Sequence, residues 1–239
     1  MNIWALIPAR GGSKSIPLKN LTPVCGVPLI DYSIRAVQAS KLVSRIVCST
    51  DHRVIGEHCL SLDIEVDWRS QALSGDDIPV LDVITEFLQR QKSLPDLCLL
   101  VQPTSPFLQP QHIHDLVSAV CHNPKAMSGQ TVTGCPHNHH AFNQRIVKDG
   151  YVDFFYKTER TKAYNKQKKP KHYVFGNLIV FRPEAILLHH DFFVTPSVAV
   201  TIPEPYAFDL DIAQDILLAE AHLWSRLVEL PHMQSILNK

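Results

Sequence analysis

The stretch Ile7-Pro8-Ala9-Arg10-Gly11-Gly12-Ser13-Lys14-Ser15-Ile16-Pro17-Leu18-Lys19-Asn20 begins where the first apolar run of the chain, Asn2 to Ile7, ends. Its two glycines allow the backbone to take positive φ angles and to approach a ligand closely, so that successive N–H groups point at one anion. It also carries three basic side chains: Arg10, Lys14 and Lys19. An arginine binds phosphate oxygens as a planar fork and a lysine as a point charge. The stretch therefore predicts a phosphate-binding loop at the end of a strand.

Two common glycine loops are excluded by the spacing. The dinucleotide fingerprint needs Gly-x-Gly-x-x-Gly and the P-loop needs Gly-x-x-x-x-Gly-Lys-Ser/Thr, whereas this stretch has Gly-Gly-Ser-Lys followed by neither pattern. The alternative that the stretch leaves open is a surface turn with solvated charges, since glycine and lysine are common in loops.

Composition limits the classes of protein to which the chain belongs. With 239 residues and 45% hydrophobic content, we expect one domain, 1–239, with a substantial core and a small excursion. Lys+Arg and Asp+Glu are both 23, so no overall field attracts nucleic acid or an anionic membrane. No apolar run approaches the ~20 residues that span a bilayer, and Met1 leads into a strand-like run without a basic region and cleavage site. We expect a cytoplasmic protein without nucleic-acid or membrane partners.

The cysteines predict reduced core thiols. The six residues are scattered and mostly lie in apolar segments, which is typical of intracellular proteins: Cys25, Cys48, Cys59, Cys98, Cys121 and Cys135. The segment Cys135 to His140 contains zinc-ligand residue types but lacks the paired spacing of a zinc site. A structural zinc there is a disfavoured alternative.

Short apolar runs alternate with helical patterns in the first half, which predicts βα units and a doubly wound, mostly parallel sheet of the α/β class. The predicted strands are Asn2–Ile7, Arg45–Ser49, Asp63–Val66 and Leu97–Val101. The predicted helices are Pro28–Ala39, His52–Leu60, Pro79–Gln91 and Pro110–His122, three of them opened by a proline in the first turn. Ligands collect at the carboxyl ends of such strands, where the opening loop, Thr50-Asp51 and Gln102–Pro106 would converge.

The second half has a different pattern. From Gly129 to Phe193 the runs are short and rich in Thr, Tyr, Phe and Val, with the turn signal Asp149-Gly150, which predicts antiparallel strands in an excursion at about 135–195. The run Val198–Ile202 returns to the sheet, and Ile212–Leu227 has the apolar period of a closing amphipathic helix.

Asp209 and Asp211 are candidate metal ligands. In an extended segment, residues i and i+2 point the same way, so the two carboxylates lie on one face. Mg²⁺ binds through one or two carboxylates and takes its remaining ligands from water and phosphates. The alternative makes Asp211 the N-cap of the final helix and Asp209 a solvated charge.

The neutral groups of Gln102, Thr104 and Ser105, held between prolines, suit a polyhydroxylated partner such as a sugar. The alternative is a rigid proline turn. A phosphate loop together with a carboxylate pair favours phosphoryl or nucleotidyl transfer, in which positioning and charge neutralisation supply most of the catalysis.

With these motifs, the chain resembles the cytidylyltransferases that make CMP-sugars from CTP, especially the CMP-sialic acid synthetases with their legionaminate and pseudaminate relatives. The motifs that carry the resemblance span nearly the whole chain: Ala9-Arg10-x-x-Ser13-Lys14-x-x-Pro17-Leu18-Lys19-Asn20, Ser49-Thr50-Asp51, Arg69 with Leu73 and Asp76, Gln102-Pro103-Thr104-Ser105-Pro106, Phe192-Phe193 with Pro196, and Asp209-x-Asp211. The resemblance implies a Rossmann-like nucleotidyltransferase fold whose small β-rich excursion forms a homodimer.

The resemblance also implies residue roles. CTP, the co-substrate, would be bound by Ala9, Arg10, Gly11, Gly12, Ser13, Lys14, Asn20, Arg69 and Asp76. The sugar would be bound by Gln102, Thr104, Ser105, Lys166, Tyr173, Asn177, Phe192 and Phe193, the two phenylalanines reaching the partner's pocket. Arg10, Lys19 and Asp211 would be catalytic, and Asp209 and Asp211 would hold the cofactor Mg²⁺.

The chain departs from the family pattern mainly on the sugar side. Phe107-Leu108 stands where the family often has Leu-Arg, Phe175-Gly176-Asn177 replaces an Asn-Gly pair, and Asn143 replaces a lysine. Beside the nucleotide, Asp77 to Val80 replace serine and threonine groups.

The resemblance implies transfer of CMP from CTP to the anomeric hydroxyl of a nonulosonic, sialic-type acid, with release of pyrophosphate. Two alternatives stay open, which are CMP-Kdo synthesis and a catalytically inactive nucleotide-binding or regulatory homologue.

Overall fold

The computed structural model describes residues 1–75 and 77–237, apart from the side chains of Gln71 and Lys166. The described residues form eleven strands: β1 (Ile3–Pro8), β2 (Pro23–Val24), β3 (Val27–Pro28), β4 (Arg45–Thr50), β5 (Glu65–Trp68), β6 (Leu97–Val101), β7 (Ser128–Gly134), β8 (Arg145–Lys148), β9 (Tyr151–Phe154), β10 (Tyr173–Phe181) and β11 (Ser197–Thr201). They also form eight α-helices: α1 (Leu29–Ser40), α2 (Arg53–Ser61), α3 (Val80–Gln89), α4 (Pro110–Cys121), α5 (Lys157–Lys162), α6 (Pro183–His189), α7 (Ala213–Trp224) and α8 (Gln234–Leu237). None of these helices is long and apolar enough to cross a membrane.

The central sheet has seven strands in the order β11-β7-β10-β6-β1-β4-β5. All neighbouring pairs are parallel except the two that β10 makes with β6 and β7. The predicted α/β class with a mostly parallel, doubly wound sheet is confirmed. Because β1 pairs with β4 on one side and β6 on the other, the strand order reverses at β1 and opens a crevice at the carboxyl ends of β1 and β6.

Helices cover both faces of the sheet, which explains why the sequence of β1 is one apolar run. Ile3, Ala5 and Ile7 face the core shared with α1, α2 and α4. Trp4 and Leu6 face the core shared with α3 and α6. Since side chains alternate between faces with period two, a strand buried on both sides is apolar throughout.

The predicted elements of the first half are confirmed with small shifts. The third strand begins two residues later than predicted, at Glu65, because Asp63 has a left-handed backbone (φ 58°) in the turn that follows α2. Of the three prolines predicted in first turns, only Pro110 lies inside its helix. The prediction is wrong for Pro28 and Pro79, which precede their helices with extended backbones.

The excursion is shorter than the predicted 135–195, because β10 pairs with β6 and β7 in the central sheet. The residues between β7 and β10 form the two-stranded β8–β9 hairpin, α5 and short 3₁₀ turns. At the hairpin turn, Asp149 and Gly150 both have positive φ angles, 52° and 80°, as a tight two-residue hairpin requires. The run predicted to return to the sheet forms β11, parallel to β7.

The closing helix α7 packs on a third cluster of buried residues that includes Tyr32, Phe107 and Leu210. Phe107 lies 5.3 Å from Phe208 between ring centroids, and its neighbour Leu108 is fully buried in the core beneath the sheet. The two positions where the resembled family often has Leu-Arg are therefore core positions in this chain.

We predict that Leu108→Arg, which restores the family's arginine, lowers the free energy of unfolding by at least about 3 kcal/mol, because an unpaired guanidinium would be buried. Urea unfolding followed by circular dichroism measures the change, with Leu108→Met as the control of similar volume. Equal stability of Leu108→Arg and the control would show that position 108 is not part of the core.

Candidate active site

A cavity of about 630 Å³ lies in the crevice at the carboxyl ends of β1 and β6. Its lining combines cationic, amide and hydroxyl groups with an apolar wall, which suits a charged polyhydroxylated ligand. Eleven residues of the predicted site line it: Arg10, Ser13, Lys14, Lys19, Asn20, Arg69, Gln102, Thr104, Phe192, Phe193 and Asp211. The predicted convergence of the opening loop with the segment after β6 is confirmed.

The loop after β1 is fastened to the end of β4. The Gly11 N–H donates to the Asp51 carboxylate (2.8 Å), and the Asn20 side-chain amide donates to the Arg10 carbonyl (3.0 Å). A Cβ at Gly11 would lie 2.6 Å from the His52 side chain, so only glycine fits this close approach. The loop thus has a fixed shape before any ligand binds.

Two expectations about this loop are wrong in detail. Among the described glycines, only Gly26 and Gly150 have positive φ angles, so Gly11 and Gly12 do not form the predicted left-handed cradle. Ala9 is fully buried, and the Gly11 N–H already has the Asp51 carboxylate as its acceptor. The loop therefore offers a ligand mainly side chains, because its backbone groups are partly used to hold its own shape.

Lys19 joins this loop to the far end of the chain. Its ammonium donates to the Leu210 carbonyl (3.0 Å) and to the Asp211 carboxylate (3.1 Å). The Ser15 hydroxyl donates to the Asp211 carbonyl (2.5 Å). The carboxylate segment after β11 is thus held against the phosphate loop, although nearly 200 residues separate them.

Asp209 and Asp211 lie close enough to interact. The Leu210 N–H donates to the Thr104 carbonyl (2.8 Å), and the Thr104 hydroxyl bonds to the Asp209 carboxylate. The side chain of Asp209 reaches solvent, yet the protein around it raises its pKa by desolvation, with the Asp211 charge adding to the rise and the Thr104 bond opposing it. Two mutually repelling carboxylates are the donor set that a hard divalent cation prefers.

The N-cap alternative for Asp211 is wrong. Ile212 is the residue before α7, and the Asp215 carboxylate accepts the N–H groups of Asp211 (2.8 Å) and Ile212 (2.9 Å). Asp215 therefore satisfies the start of the helix and leaves the Asp211 side chain to the cavity. Within residues 1–75 and 77–237, no three His, Cys, Asp or Glu side chains are grouped to hold a metal ion by themselves, so a cation here would draw other ligands from solvent or substrate.

Arg69 also lines the cavity and is anchored to β4. Its Nε donates to the Ser49 hydroxyl (3.1 Å) and a terminal nitrogen donates to the Ser49 carbonyl (2.9 Å). Burial lowers the pKa of its guanidinium, while the nearby Asp51 carboxylate opposes that change. Asp76, the acidic residue predicted beside it, lies outside the described residues.

On the sugar side, the structure separates the predicted residues. Gln102 and Thr104 line the cavity, whereas the Ser105 hydroxyl is buried without a hydrogen-bond partner. Asn177 is also buried, and its side chain bonds to Thr131, His112 and the Tyr206 carbonyl, so it serves the packing of β10. Burial lowers the pKa of His112 to about 4.

Tyr173 and the two phenylalanines lie in different places. Tyr173 lines a second cavity, about 370 Å³, formed by the excursion with His140 and Lys171. Phe192 and Phe193 line the main cavity of their own chain, and Phe192 packs on Phe181 at 5.7 Å between centroids. Their implied contact with a partner's pocket stays a prediction from the sequence. The Lys166 side chain lies outside the described part of the structure.

Eight further residues, to which the sequence patterns gave no role, line the cavity: Pro8, Ser15, Gly75, Ile78, Val80, Leu100, Pro103 and Ile179. Ile78 and Val80 lie in the segment where the family pattern has hydroxyl groups, a signal that was present but not assigned. Ile179 had no local signal, because it reaches the cavity only through the register of β10 with β6, which pairs it with Leu100.

The doubly wound sheet with a cationic cavity at its strand-order reversal is a ligand-binding α/β fold, and comparisons with known proteins identify its family. A family model described as "Cytidylyltransferase" matches residues 4–199, so the chain belongs to the cytidylyltransferase family. A solved structure of CMP:2-keto-3-deoxy-manno-octonic acid synthetase complexed with CTP matches with a TM-score of 0.71 at 15% identity, covering 95% of this chain and 100% of that one. At this identity the match shows the fold alone.

The curated relatives are named for sialic-type substrates. An N-acylneuraminate cytidylyltransferase of Oncorhynchus mykiss is 36% identical over 151 residues, 63% of this chain and 34% of that protein. The CMP-N,N'-diacetyllegionaminic acid synthase of Legionella pneumophila is 39% identical over 121 residues, 49% and 52% of the two chains. An N-acylneuraminate cytidylyltransferase of Streptococcus agalactiae is 27% identical over 223 residues, 92% and 52%. The matched region spans about half of these relatives or less.

We predict that Asp209→Asn raises the melting temperature in metal-free buffer at pH 7.5. The folded state raises the pKa of this carboxyl, so its ionisation costs stability as the pH rises above the unfolded value of about 4, and an amide removes that cost. The gain should shrink as the pH falls towards 4, because the raised pKa makes the folded carboxyl take up its proton before the unfolded one does. Thermal unfolding at both pH values measures it, and a lower melting temperature for Asp209→Asn at pH 7.5 would contradict the electrostatic account.

Proposed function

We propose that this chain is a Mg²⁺-dependent cytidylyltransferase that transfers CMP from CTP to the anomeric hydroxyl of an N-acylated nonulosonic acid. The observation that supports it most is one cavity that joins Arg10, Lys14 and Lys19 to Asp211 on one side and to Gln102 and Thr104 on the other. The curated relatives act on N-acylneuraminate and diacetyllegionaminate by name, which supports the same donor and acceptor for this chain.

In this proposal the anomeric oxygen attacks the α-phosphorus of CTP in line, a new P–O bond forms, and the bond to the β-phosphate oxygen breaks. Pyrophosphate leaves and the hydroxyl proton passes to solvent. Positioning and neutralisation of phosphate charge carry such a reaction without a covalent enzyme intermediate. Arg10, Ser13 and Lys14 bind the triphosphate, while Asn20 and Arg69 face the nucleoside.

Lys19 has a separate catalytic role in this proposal, because it lies between the phosphate loop and the carboxylates. Its ammonium, bound to Asp211 and the Leu210 carbonyl, is fixed at the rim of the cavity. When a triphosphate enters, the charge that develops on the α-phosphate is a stronger partner than the exposed Asp211 carboxylate. Lys19 then stabilises the transition state more than the ground state, which is the condition for catalysis.

The residues present fit a magnesium ion. Asp209 and Asp211 would supply two oxygen ligands, and Mg²⁺ takes its other ligands from water and substrate phosphates. The ion would supply charge neutralisation at the phosphates. Asp215 and Thr104 hold the two aspartates in place from behind.

The apolar wall favours an N-acylated acceptor over Kdo. Ile179, Phe192 and Phe193 line the cavity, and a methyl group of an N-acyl substituent has an apolar surface to contact there. Kdo carries no N-acyl group, so it would leave this wall without a partner. CMP-Kdo synthesis remains the second candidate because of the shared fold.

A homodimer is proposed on the exposure of the β8–β9 hairpin. Large apolar side chains lie on its surface, with Tyr151 82%, Val147 74% and Val152 65% exposed. Val147 and Val152 are paired across the hairpin and lie on the same face of it, and exposed apolar residues grouped in this way mark a protein interface. A cytoplasmic location stays a prediction from the sequence.

The central test is a pyrophosphate-release screen of CTP, UTP and ATP against N-acetylneuraminic, diacetyllegionaminic and pseudaminic acids and Kdo. We expect release with CTP and an N-acylated nine-carbon acid, abolished by EDTA and restored by Mg²⁺. Release with Kdo alone would favour the second candidate. CTP binding without release for any acid would favour the inactive nucleotide-binding homologue.

We predict that Lys19→Ala lowers the turnover number by about 100-fold or more, because a cation aimed at developing phosphate charge is lost. Lys92→Ala, an exposed lysine outside the cavity, is the control. Steady-state pyrophosphate release measures both variants. Turnover of Lys19→Ala equal to that of the control would remove the catalytic role of this lysine.

We predict that the chain sediments as a dimer at micromolar concentration and that the double substitution Val147→Lys, Val152→Lys shifts it to monomer, since two charges would enter the apolar patch. Analytical ultracentrifugation measures the mass. The matched control is Val54→Lys on α2, which is also exposed but lies outside the hairpin. A wild-type chain that sediments only as monomer would contradict the proposed dimer.

A further inference from the structure

The structure assigns positioning roles to Asp67 and Arg90, which hold the Arg69 guanidinium in the nucleotide cavity through the Ser49 hydroxyl. The inference rests on the proposed function, since it concerns the same cavity. Asp67 and Arg90 do not line the cavity, and no motif of the sequence analysis includes them.

The four side chains form one continuous hydrogen-bonded relay. Arg69 Nε donates to Ser49 Oγ (3.1 Å), and Ser49 Oγ donates to one oxygen of Asp67 (3.0 Å). The other oxygen of Asp67 accepts from a terminal nitrogen of Arg90 (2.7 Å). Since the hydroxyl has one proton, giving it to Asp67 turns its lone pairs towards Arg69.

The fold fixes the middle of the relay and leaves its far end adjustable. Ser49 and Asp67 are buried and face each other in the register of β4 with β5. Arg90 follows the last turn of α3 and is half exposed, with Glu86 as its second carboxylate partner (2.7 Å). Arg90 is thus the one member that can be changed with little direct effect on the core.

The charge of Asp67 explains why Arg90, at the far end of the relay, affects the position of Arg69 in the cavity. Asp67 is a buried carboxylate, and burying a charge without a partner is costly. Without Arg90, Asp67 would gain by drawing the nearby Arg69 guanidinium towards itself. That change ends the geometry in which Ser49 orients Arg69 towards the cavity.

Arg69 needs these hydrogen-bond partners because its surroundings disfavour a charged guanidinium. It is largely enclosed by protein, so burial lowers the pKa of its guanidinium, and the positive charge of Arg10 acts in the same direction. A long side chain that is already held in one rotamer loses little further conformational entropy when the ligand binds. A pre-ordered arginine therefore binds phosphate or base groups more tightly.

The test compares Arg90→Gln and Ser49→Ala with two controls. Glu86→Gln removes the second partner of Arg90 and keeps Asp67 paired, and Arg90→Lys keeps a cation beside Asp67. Isothermal titration with CTP, with and without Mg²⁺, measures the dissociation constant. A ¹⁵N spectrum of the arginine Nε–H groups, with the Arg69 signal assigned through Arg69→Lys, measures its hydrogen exchange.

We expect Arg90→Gln and Ser49→Ala to weaken CTP binding by about 10-fold, a loss typical of removing an outer partner from a ligand-binding side chain. The Arg69 Nε–H should exchange at least about 10-fold faster in both. Turnover at saturating CTP should stay within about twofold, since Arg69 contacts the nucleotide in ground and transition states alike. Both controls should bind CTP within about twofold of wild type.

The outcomes separate the two proposals. If wild type binds CTP and Arg90→Gln binds it equally well, the positioning role is wrong and the proposed function stands. If wild type binds no CTP, the proposed function is wrong, and unchanged Arg69 exchange in Arg90→Gln would overturn the relay as well. A loss of binding shared by Glu86→Gln would attribute the effect to α3 in general and contradict the relay.

Discussion

The site depends on one long-range contact within the chain, in which Lys19 binds the Leu210 carbonyl and the Asp211 carboxylate. This contact joins the loop after the first strand to the segment after the last one. Leu210 is fully buried, and its N–H bonds to the Thr104 carbonyl, so the same short segment also touches the loop after β6. Cations, carboxylates and neutral polar groups therefore meet at the point where the strand order reverses, the usual ligand crevice of such sheets.

Local patterns in the sequence predicted the parts of the fold that local physics decides. The apolar runs of β1, β4 and β6 are buried on both faces, so their composition alone indicates strands. The loop of Arg10 to Asn20, together with Asp209 and Asp211, was predicted because charge and spacing carry the signal. The place of β10 was not predictable in this way, since its antiparallel pairing between β6 and β7 is set by tertiary packing. The position of Ile179 in the cavity lining was therefore not predicted from the sequence.

Residue type alone also misassigned several polar groups. Asn177 and Ser105 have side chains suited to binding a sugar, yet both are buried away from the cavity surface. Asn177 instead ties β10 to β7, α4 and the turn at Tyr206, which precedes the carboxylate segment. Gly11 serves close packing against His52 rather than a left-handed turn. Asn177 and Gly11 therefore serve the packing of the elements around the cavity.

We propose that the nucleotide lies between the Arg10–Asn20 loop and Arg69, with its cation on Asp209 and Asp211, and a single structure determination can decide this. A crystal soaked with CTP and Mn²⁺ as an anomalous marker tests it directly. We expect an anomalous peak at a cation bound by both aspartates, with the triphosphate against Arg10, Lys14 and Lys19. A triphosphate in the excursion's cavity, or a cation peak away from both aspartates, would contradict it.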